Sequence, residues 1–571
     1  MIKFKDIPYV RPTVEEVNAT RSKQLEKFKN ATSLDECIHA YKEIENYTFD
    51  AIYTMWNLAY IRHSMNTTDE FYAAEMDYWN EAGPEMGLLE AEITKALMQS
   101  PFRAELEKEW GNLIFQNEEI NLKTFDEEIA EDLKEENRLS SEYVSLMASA
   151  QIEFNGKIHT LAEIEPYYEN PDREVRMVAH KTDKAWRIEK AEEVERIFDQ
   201  LIKVRTTIAK KLGHENFVET GYYRMQRNCY DKEMVAQFRN GILKHIVPIV
   251  TRLKEEQKNR IAVDRIKPYD DKVMFLNGNA KPIGTPEEIF TNASKMFQEM
   301  SDSTAETWNF MQDYDLLDVM TRPNKAGGGY LAILSAYRAP FIFANFTGTA
   351  LDVDGMLTHE FGHAWAYYLA KDIFPRKLQD ASAETREVHA IAMEFLAWNW
   401  MEEFFGDDIE KYYYTHLANH LSWLPYEAMV DEFQQHIYEK PEMTPKQRNQ
   451  LWLELEGKYC PWLDVTDVSF DKDGRHWQQI PHIFTIPFYY INYALAGIVA
   501  LSFWAKSRQN FTNAWEKYEQ LTRLAGTKTF VELLEDAAMP SPFVADNLKL
   551  VADEATKFLK NMNLFKGEKN L

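Results

Sequence analysis

Two histidines four residues apart, with a glutamate directly after the first, occur in His359-Glu360-Phe361-Gly362-His363. On a helix, residues four apart lie one turn apart on one face, so both imidazoles can bind one metal ion. Glu360 is rotated by about 100° from His359 and can reach a water molecule instead of the metal. This pattern is typical of zinc hydrolases in which the glutamate is the general base. We therefore expect a helix that presents His359 and His363 to a third ligand.

The third ligand is expected on the next predicted helix, in residues 383–405. Catalytic zinc usually has three protein ligands and an open fourth position. Glu387 and His389 are two residues apart, so they point to nearly opposite sides of a helix and cannot both bind the metal. Glu387 shares a face with Glu394, which we expect to orient one of the two histidines. Spacing alone leaves Glu384 open as an alternative ligand.

The composition predicts a large folded protein that does not bind nucleic acid. The chain has 571 residues, of which 45% are hydrophobic, and its formal net charge is −27. Such a charge argues against nucleic acids and anionic membrane surfaces as partners. Residues 480–505 contain no Asp, Glu, Lys or Arg, and this length could span a bilayer. Because the stretch contains two prolines, a histidine and an asparagine, we expect a buried helix there and no membrane association.

The cysteines predict a reducing environment. Cys37, Cys229 and Cys460 lie far apart, have no CxxC spacing and are odd in number. A disulfide framework or a cysteine-based zinc site is therefore not expected. The first eight residues contain an acid and a proline and no apolar run, so they do not resemble a signal peptide. We expect a cytoplasmic protein, and its oligomeric state is left open.

Most of the chain is predicted to be helical, with two short β elements. Capping boxes at Thr13 and Thr285 predict helix starts, and Asn155-Gly156 between two short alternating segments predicts a β-hairpin. A glycine-rich loop occupies residues 324–329, and two short apolar runs follow it at residues 330–334 and 341–346. We expect these runs to form a small β element just before the helix with the histidines.

The glycine-rich loop and the second apolar run are expected to hold substrate. Gly327, Gly328 and Gly329 allow the backbone to approach a ligand closely, although a merely flexible loop is the alternative. An edge strand beside a zinc-binding helix can pair with an extended peptide through main-chain hydrogen bonds. We expect the strand at residues 341–346, including Ala344, to have this role.

Taken together, these motifs resemble those of the thimet oligopeptidase and oligoendopeptidase F metallopeptidases, including the Pz-peptidase members. Glu387 follows His363 by 24 residues, as this resemblance requires. Further similar stretches are Lys325-Ala326-Gly327-Gly328-Gly329-Tyr330, Asp431-Glu432-Phe433, Ile480-Pro481-His482 and Phe488-Tyr489-Tyr490-Ile491-Asn492-Tyr493. The resemblance covers roughly the last 250 residues by motif.

The resemblance implies a mostly α fold, a large helical bundle enclosing a deep substrate channel with a small zincin-like β element. It implies one Zn²⁺ per chain with Glu387 as the third ligand. It also implies that His482 and a downstream tyrosine stabilise the tetrahedral intermediate. Pro487 is expected to start a helix on which Tyr489 and Tyr493 share a face. Tyr490 would then be turned away by about 100°, in a substrate-binding position.

The sequence therefore predicts a zinc oligoendopeptidase that hydrolyses internal bonds of short unfolded peptides. Residues 1–190 are expected to form an N-terminal helical region, and residues 191–571 the catalytic region. Two alternatives remain open. One is an exopeptidase that releases dipeptides, and the other is a peptide-binding protein with a non-catalytic zinc.

Overall fold

Helices dominate the fold, as predicted. The structure is a computed structural model that describes residues 2–346 and 348–562. About 72% of it is helical and its sheets are small. The predicted capping boxes form, since the hydroxyl oxygens of Thr13 and Thr285 accept from the backbone N–H groups of Glu16 and Glu288. Each box satisfies two of the N–H groups that a helix start leaves without a helical partner.

The chain forms two compact units, each assembled from three separate stretches. The first unit comprises Met1–Leu122, Lys281–Gly406 and Lys506–Met539. Its α-helices are Val14–Lys29, Leu34–Asn46, Thr54–Met65, Glu70–Met86, Leu88–Met98, Arg103–Trp110, Leu113–Leu122, Pro286–Met300, Asp302–Asp313, Glu360–Ala370, Ala383–Leu396, Glu402–Phe405, Phe511–Leu524 and Phe530–Asp536.

The second unit comprises Lys123–Ala280, Asp407–Ala505 and Pro540–Leu571. Its α-helices are Ala130–Ala148, Leu161–Ile164, Arg173–Lys211, Phe217–Arg224, Lys232–Gly241, Val247–Arg260, Ile409–Glu439, Pro445–Tyr459, Ser469–Lys472, Pro481–Thr485, Ile491–Ser507 and Ala545–Asn561, of which Ile491–Ser507 ends just beyond the boundary. These units are defined by contacts within the chain, whereas the division into functional regions at residue 190 stays a prediction.

The predicted β-hairpin is present in the second unit. Strand β1 (Ile152–Phe154) pairs antiparallel with β2 (Lys157–His159). Asn155 and Gly156 form the turn with φ values of 52° and 73°. Positive φ at both central residues is the geometry that favours Asn-Gly, because it matches the twist of the two strands.

The first unit contains a three-stranded sheet in the order β3-β5-β4. Its strands are β3 (Leu317–Asp318), β4 (Tyr330–Leu334) and β5 (Ala339–Phe343). β5 lies in the centre, parallel to β3 and antiparallel to β4. The expectation that the strand near residues 341–346 is an edge strand is therefore wrong. The outer edge on the β4 side belongs to residues 330–334.

The charge-free stretch near residue 490 forms a buried helix, as expected. In Ile491–Ser507 nearly all side chains are buried, including Leu495, Ile498 and Trp504. Among the described residues, no helix is both long enough and apolar enough to cross a membrane.

Candidate metal centre

The two histidines lie on one face of a continuous helical segment. A π-helical turn, Val353–His359, leads directly into the α-helix Glu360–Ala370, and together we call them the motif helix. The opposite face is anchored in the core, where the ring of Phe361 lies 3.8 Å from that of Phe297. The imidazole centroids of His359 and His363 are 4.9 Å apart. Packing of the apolar face thus presents both imidazoles together on the other side.

A second helix, Ala383–Leu396, supplies the carboxylates, and we call it the ligand helix. One carboxylate oxygen of Glu387 and one ring nitrogen each of His359 and His363 all lie within 4.8 Å of one another. Oε2 of Glu387 is 3.7 Å from Nε2 of His359. Among the described residues, this group includes neither Glu384 nor His389.

The other ring nitrogen of His359 is held by Glu394, as predicted from the spacing. Nδ1 of His359 lies 2.7 Å from Oε1 of Glu394. A hydrogen bond there places one proton on Nδ1, so the nitrogen that faces Glu387 and can give up its proton to a metal ion is Nε2. Glu394 is two helical turns after Glu387, so one helix face supplies both carboxylates.

Close approach of the two helices depends on Gly362. A Cβ atom at this position would lie 2.6 Å from the carbonyl oxygen of His389 and 2.8 Å from Cα of Ala390. The motif helix and the ligand helix therefore touch through their main chains. The hydroxyl of Tyr518, on the helix Phe511–Leu524, also donates to the carbonyl of His389. His389 lies between Glu387 and Glu394 in the sequence. The approach of Gly362 to the backbone of His389 therefore sets the distance from both carboxylates to His359 and His363.

The electrostatics of this group favour a protonated His359 beside a neutral His363. Burial disfavours the charged form of His359, but the hydrogen bond and charge of Glu394, together with the Glu387 and Glu360 carboxylates, raise its pKa to about 9. Burial and a charged His359 hold the pKa of His363 well below its usual range. Burial also raises the pKa of Glu360 to about 7, which His359 opposes and Glu387 reinforces. A bound cation can take the place of the His359 proton.

The donor set fits zinc. Two imidazole nitrogens and one carboxylate oxygen are the ligands of many catalytic zinc sites, and they leave one coordination position open. The hydrogen bond from His359 to Glu394 is the kind of support that metal-binding histidines usually have. That His359, His363 and Glu387 bind a metal ion stays a prediction, and the geometry is compatible with it.

The predicted donors cluster in the second unit, but not as expected. The ring of His482 lies 5.8 Å from that of Tyr489, 5.1 Å from Tyr490 and 6.0 Å from Tyr493. The expected helix start at Pro487 is wrong, because Phe488 has a φ of 69° and the helix begins only at Ile491.

Tyr489 and Tyr490 thus lie before this helix. Helical spacing was expected to turn Tyr490 away from Tyr489 and Tyr493, and it does not apply to residues outside the helix. All three phenol rings contact the imidazole of His482.

The glycine-rich loop is open at its tip and tied down at its ends. A Cβ at Gly327 or Gly328 would meet no atom within 4 Å, whereas at Gly329 it would lie 2.8 Å from Sδ of Met356 in the motif helix. Nδ2 of Asn345 donates to the carbonyl of Gly328 at 3.0 Å. The loop therefore lies against the motif helix at Gly329 and is held by Asn345 at Gly328, while the space beside Gly327 and Gly328 is open.

Ala344 does not fit the predicted substrate-binding role. Its side chain is fully buried. Its N–H donates to the carbonyl of Asp318 at 2.9 Å, and its carbonyl accepts from Nζ of Lys325 at 2.5 Å. Both backbone groups are used within the protein, so this prediction is corrected.

Sequence reasoning missed Lys325 and Asn345, which hold the glycine loop in place. The side chain of Lys325 is 0% exposed and bonds Oδ1 of Asp318 at 2.9 Å. Lys325 lies two residues before Gly327, but a lysine in a loop is normally solvated, so its burial has no local signal.

Comparison with known proteins assigns the family. The model of the peptidase family M3 matches residues 167–550, and that of the peptidase M3 N-terminal domain matches residues 4–125. This chain belongs to peptidase family M3. The predicted resemblance is confirmed, and the M3 peptidase is a metallo-oligopeptidase.

Several solved structures are similar to the M3 peptidase over nearly its full length. A structure of Pz peptidase A with an inhibitor is 42% identical, has a TM-score of 0.93 and covers 98% of this chain and 100% of that chain. One assigned as oligoendopeptidase F is 40% identical, with a TM-score of 0.93 and 99% coverage of both chains. Another, from Bacillus anthracis str. Ames, is 41% identical, with a TM-score of 0.89 and 99% coverage of both. No match was found among curated proteins.

Proposed function

We propose that this M3 peptidase is a zinc-dependent oligoendopeptidase that hydrolyses internal bonds of short unfolded peptides. The observation that carries the proposal is the convergence of ligand atoms from His359, His363 and Glu387 within 4.8 Å. Glu360 follows the first of these histidines directly. The similarity to oligoendopeptidase F and Pz peptidase A supports the same substrate class.

In this proposal His359, His363 and Glu387 hold one zinc ion. A zinc ion supplies Lewis acidity, which makes water more acidic and a peptide carbonyl more electrophilic. Glu394 keeps the ring of His359 in the orientation and tautomer that binding needs.

Glu360 is the proposed general base. A carboxylate directly after a metal-binding histidine can accept a proton from the attacking water. The same carboxyl group can then deliver the proton to the leaving amine. Its side chain is buried, so bulk water does not compete strongly for the proton.

His482, Tyr489 and Tyr493 are proposed as donors to the oxyanion, with Tyr490 in contact with substrate. Burial lowers the pKa of His482, so its imidazole is neutral at pH 7 and can donate without adding charge. Neutral donors aimed at a developing oxyanion can contribute a few kcal/mol. Since all three tyrosines contact His482, the cluster supports the roles together and does not separate them.

The strand proposed to hold the peptide is β4. Pro340 has no N–H, so the Ile333–Pro340 pair cannot be hydrogen-bonded and the backbone groups of Ile333 point to the outer edge. Its carbonyl indeed accepts from Nδ2 of Asn57 at 2.9 Å. By the alternation of antiparallel pairs, the N–H and C=O of Leu331 point the same way. An extended peptide can pair there, beside Gly327, Gly328 and Gly329.

The proposed partners are short peptides. We further propose a cytoplasmic location, which the odd number and wide spacing of the three cysteines support.

The test combines metal analysis with peptide cleavage. Glu360→Gln is expected to retain one zinc per chain and to lose hydrolysis by roughly 10²–10⁴-fold, because only the proton acceptor is removed. Glu403→Gln, an exposed exchange of the same chemistry, serves as the control. A Glu360→Gln enzyme that binds zinc and cleaves at the wild-type rate would overturn the mechanism. Cleavage of a peptide blocked at both ends distinguishes the endopeptidase from a dipeptide-releasing exopeptidase, which needs a free terminus.

A further inference from the structure

His482 lies on a helix too short to satisfy its own carbonyl groups. The helix Pro481–Thr485 has five residues. The last four carbonyls of any helix have no partner within it, so a five-residue helix leaves most of its acceptors for other groups. What bonds these carbonyls therefore determines how the helix, and with it His482, is oriented.

A buried arginine bonds two of these carbonyls. Nη1 of Arg205 donates to the carbonyl of Ile483 at 3.1 Å, and Nη2 donates to that of Phe484. The guanidinium also donates to the hydroxyl of Tyr438 at 2.8 Å and, through Nε, to Oε1 of Glu136 at 2.7 Å. The side chain is 0% exposed. Its planar fork thus fixes two adjacent carbonyls at once, which a single-point donor cannot do.

The charge and the position of Arg205 are both secured. Glu136 neutralises it and also binds Arg224 at 2.9 Å, so the buried carboxylate remains charged. Arg205 belongs to the 39-residue helix Arg173–Lys211, which packs against Ala130–Ala148. The arginine is therefore held on a long, packed helix, whereas the helix that it bonds is one turn long.

The helix with Glu136 adds two further contacts to Phe484. The ring of Tyr143 stacks on that of Phe484 at 3.8 Å with a 5° interplanar angle, and Oγ of Ser140 donates to the Phe484 carbonyl at 3.1 Å. Phe484, two residues after His482, is thus fixed at its ring and at its carbonyl.

The turn after this helix is fixed as well. The N–H of Phe488 donates to Oε1 of Gln434 at 3.0 Å, and its carbonyl accepts from Nη2 of Arg227 at 2.6 Å. Gly221 makes room for the Phe488 ring, because a Cβ there would lie 2.3 Å from Cδ2. These contacts fix the turn at Phe488, and the turn places the segment with Tyr489, Tyr490 and Tyr493 beside His482.

We propose that Arg205 is a positioning residue that orients His482 by holding the carbonyls of Ile483 and Phe484. The inference rests on the proposed function of His482 as an oxyanion donor. Arg205 itself does not contact substrate in this assignment. It acts through the helix Pro481–Thr485, supported by Ser140 and charge-balanced by Glu136.

The test is a double-mutant cycle between Arg205 and His482. Arg205→Lys keeps the charge but cannot donate to the carbonyls of Ile483 and Phe484 at the same time. We expect kcat to fall roughly 10-fold, while KM and zinc content stay unchanged. In a His482→Ala background, Arg205→Lys is expected to reduce kcat no further. Arg196→Lys, an exposed exchange on the same helix, is the matched control.

Each outcome decides the inference. An equal loss in both backgrounds, or no loss in either, overturns the role of Arg205 while leaving the donor role of His482 intact. Wild-type kcat in His482→Ala instead refutes the donor role and, with it, the inference. If Arg205→Lys does not fold, Ser140→Ala replaces it, with an expected few-fold loss of kcat that disappears in the His482→Ala background.

Discussion

Nδ1 of His359 and Oε1 of Glu394 lie 2.7 Å apart, which gives the first imidazole of the motif a fixed orientation. Glu394→Gln keeps the shape but removes the charge and can turn an N–H₂ group towards Nδ1. We expect zinc affinity to fall roughly 10–100-fold, as is usual when the partner of a metal-binding histidine is lost. Competition with a chelator of known affinity measures this. Unchanged affinity would show that Glu394 does not support the metal site.

The contact at Gly362 predicts an effect on both metal binding and stability. Gly362→Ala places a Cβ 2.6 Å from the carbonyl of His389, and backbone cannot yield as a flexible side chain can. We expect a loss of about 1–3 kcal/mol in unfolding free energy and a weaker zinc site.

Gly457→Ala is the matched control, because Gly457 is an exposed helical glycine with no atom near its missing Cβ. It is expected to stabilise the protein by roughly 0.5–1 kcal/mol. Thermal unfolding and chelator competition on both variants decide the matter. If Gly362→Ala and Gly457→Ala have the same effect on unfolding and on zinc affinity, the close approach at Gly362 does not support the site.

Loss of the buried lysine should release the glycine loop. Lys325→Met removes the ammonium that holds the carbonyl of Ala344 and the carboxylate of Asp318 together. We expect a destabilisation of roughly 3 kcal/mol, because the Asp318 carboxylate loses a buried partner. KM for peptides should rise while zinc content is retained.

Arg322→Met provides the comparison, since Arg322 binds the same carboxylate from a more exposed position and its loss should cost less than about 1 kcal/mol. If Lys325→Met leaves KM unchanged, the glycine-rich loop does not take part in peptide binding.

A buried glutamate in the second unit predicts a dependence of stability on pH. Burial and the nearby Asp471 carboxylate raise the pKa of Glu456 to about 8, from 4.5. Between pH 4.5 and pH 8 the folded protein keeps the proton on Glu456, whereas the unfolded chain has released it. Stability from this group is therefore complete below pH 4.5 and is lost as pH rises towards 8.

The Glu456→Gln variant should lack this contribution. Its stability relative to the wild type is expected to increase between pH 5 and pH 8, by on the order of 4 kcal/mol at most. Melting temperatures of both proteins across that range measure the difference. A difference that does not change with pH would place the pKa of Glu456 near its ordinary value.

The clustering of His359, His363 and Glu387 could be predicted because local periodicity defines the helix faces on which they lie. The i, i+4 spacing of His359 and His363 and the seven-residue spacing of Glu387 and Glu394 each define one helix face. What spacing could not decide was the choice between Glu387 and Glu384. That choice depends on the angle at which the two helices meet, and Gly362 sets it through a tertiary contact.

The errors lie where the outcome depends on non-local pairing or on an unusual backbone. Strand order is not encoded in an apolar run, and β5 became central because the two-residue strand β3 pairs with it. The helix expected from Pro487 fails at Phe488, whose φ of 69° is rare for an aromatic residue and has no sequence signature.

The main-chain contact between Gly362 and His389 bears on how the proposed zinc ion would enter and leave its site. Because backbone atoms set the distance between the two helices, side-chain rearrangement does not alter it. In the proposed zinc site the three ligands are therefore placed by folding, and we expect metal exchange to be a binding equilibrium at a folded template. If zinc is bound as proposed, we expect that it can be removed and restored without unfolding the protein, so that activity follows the availability of free zinc.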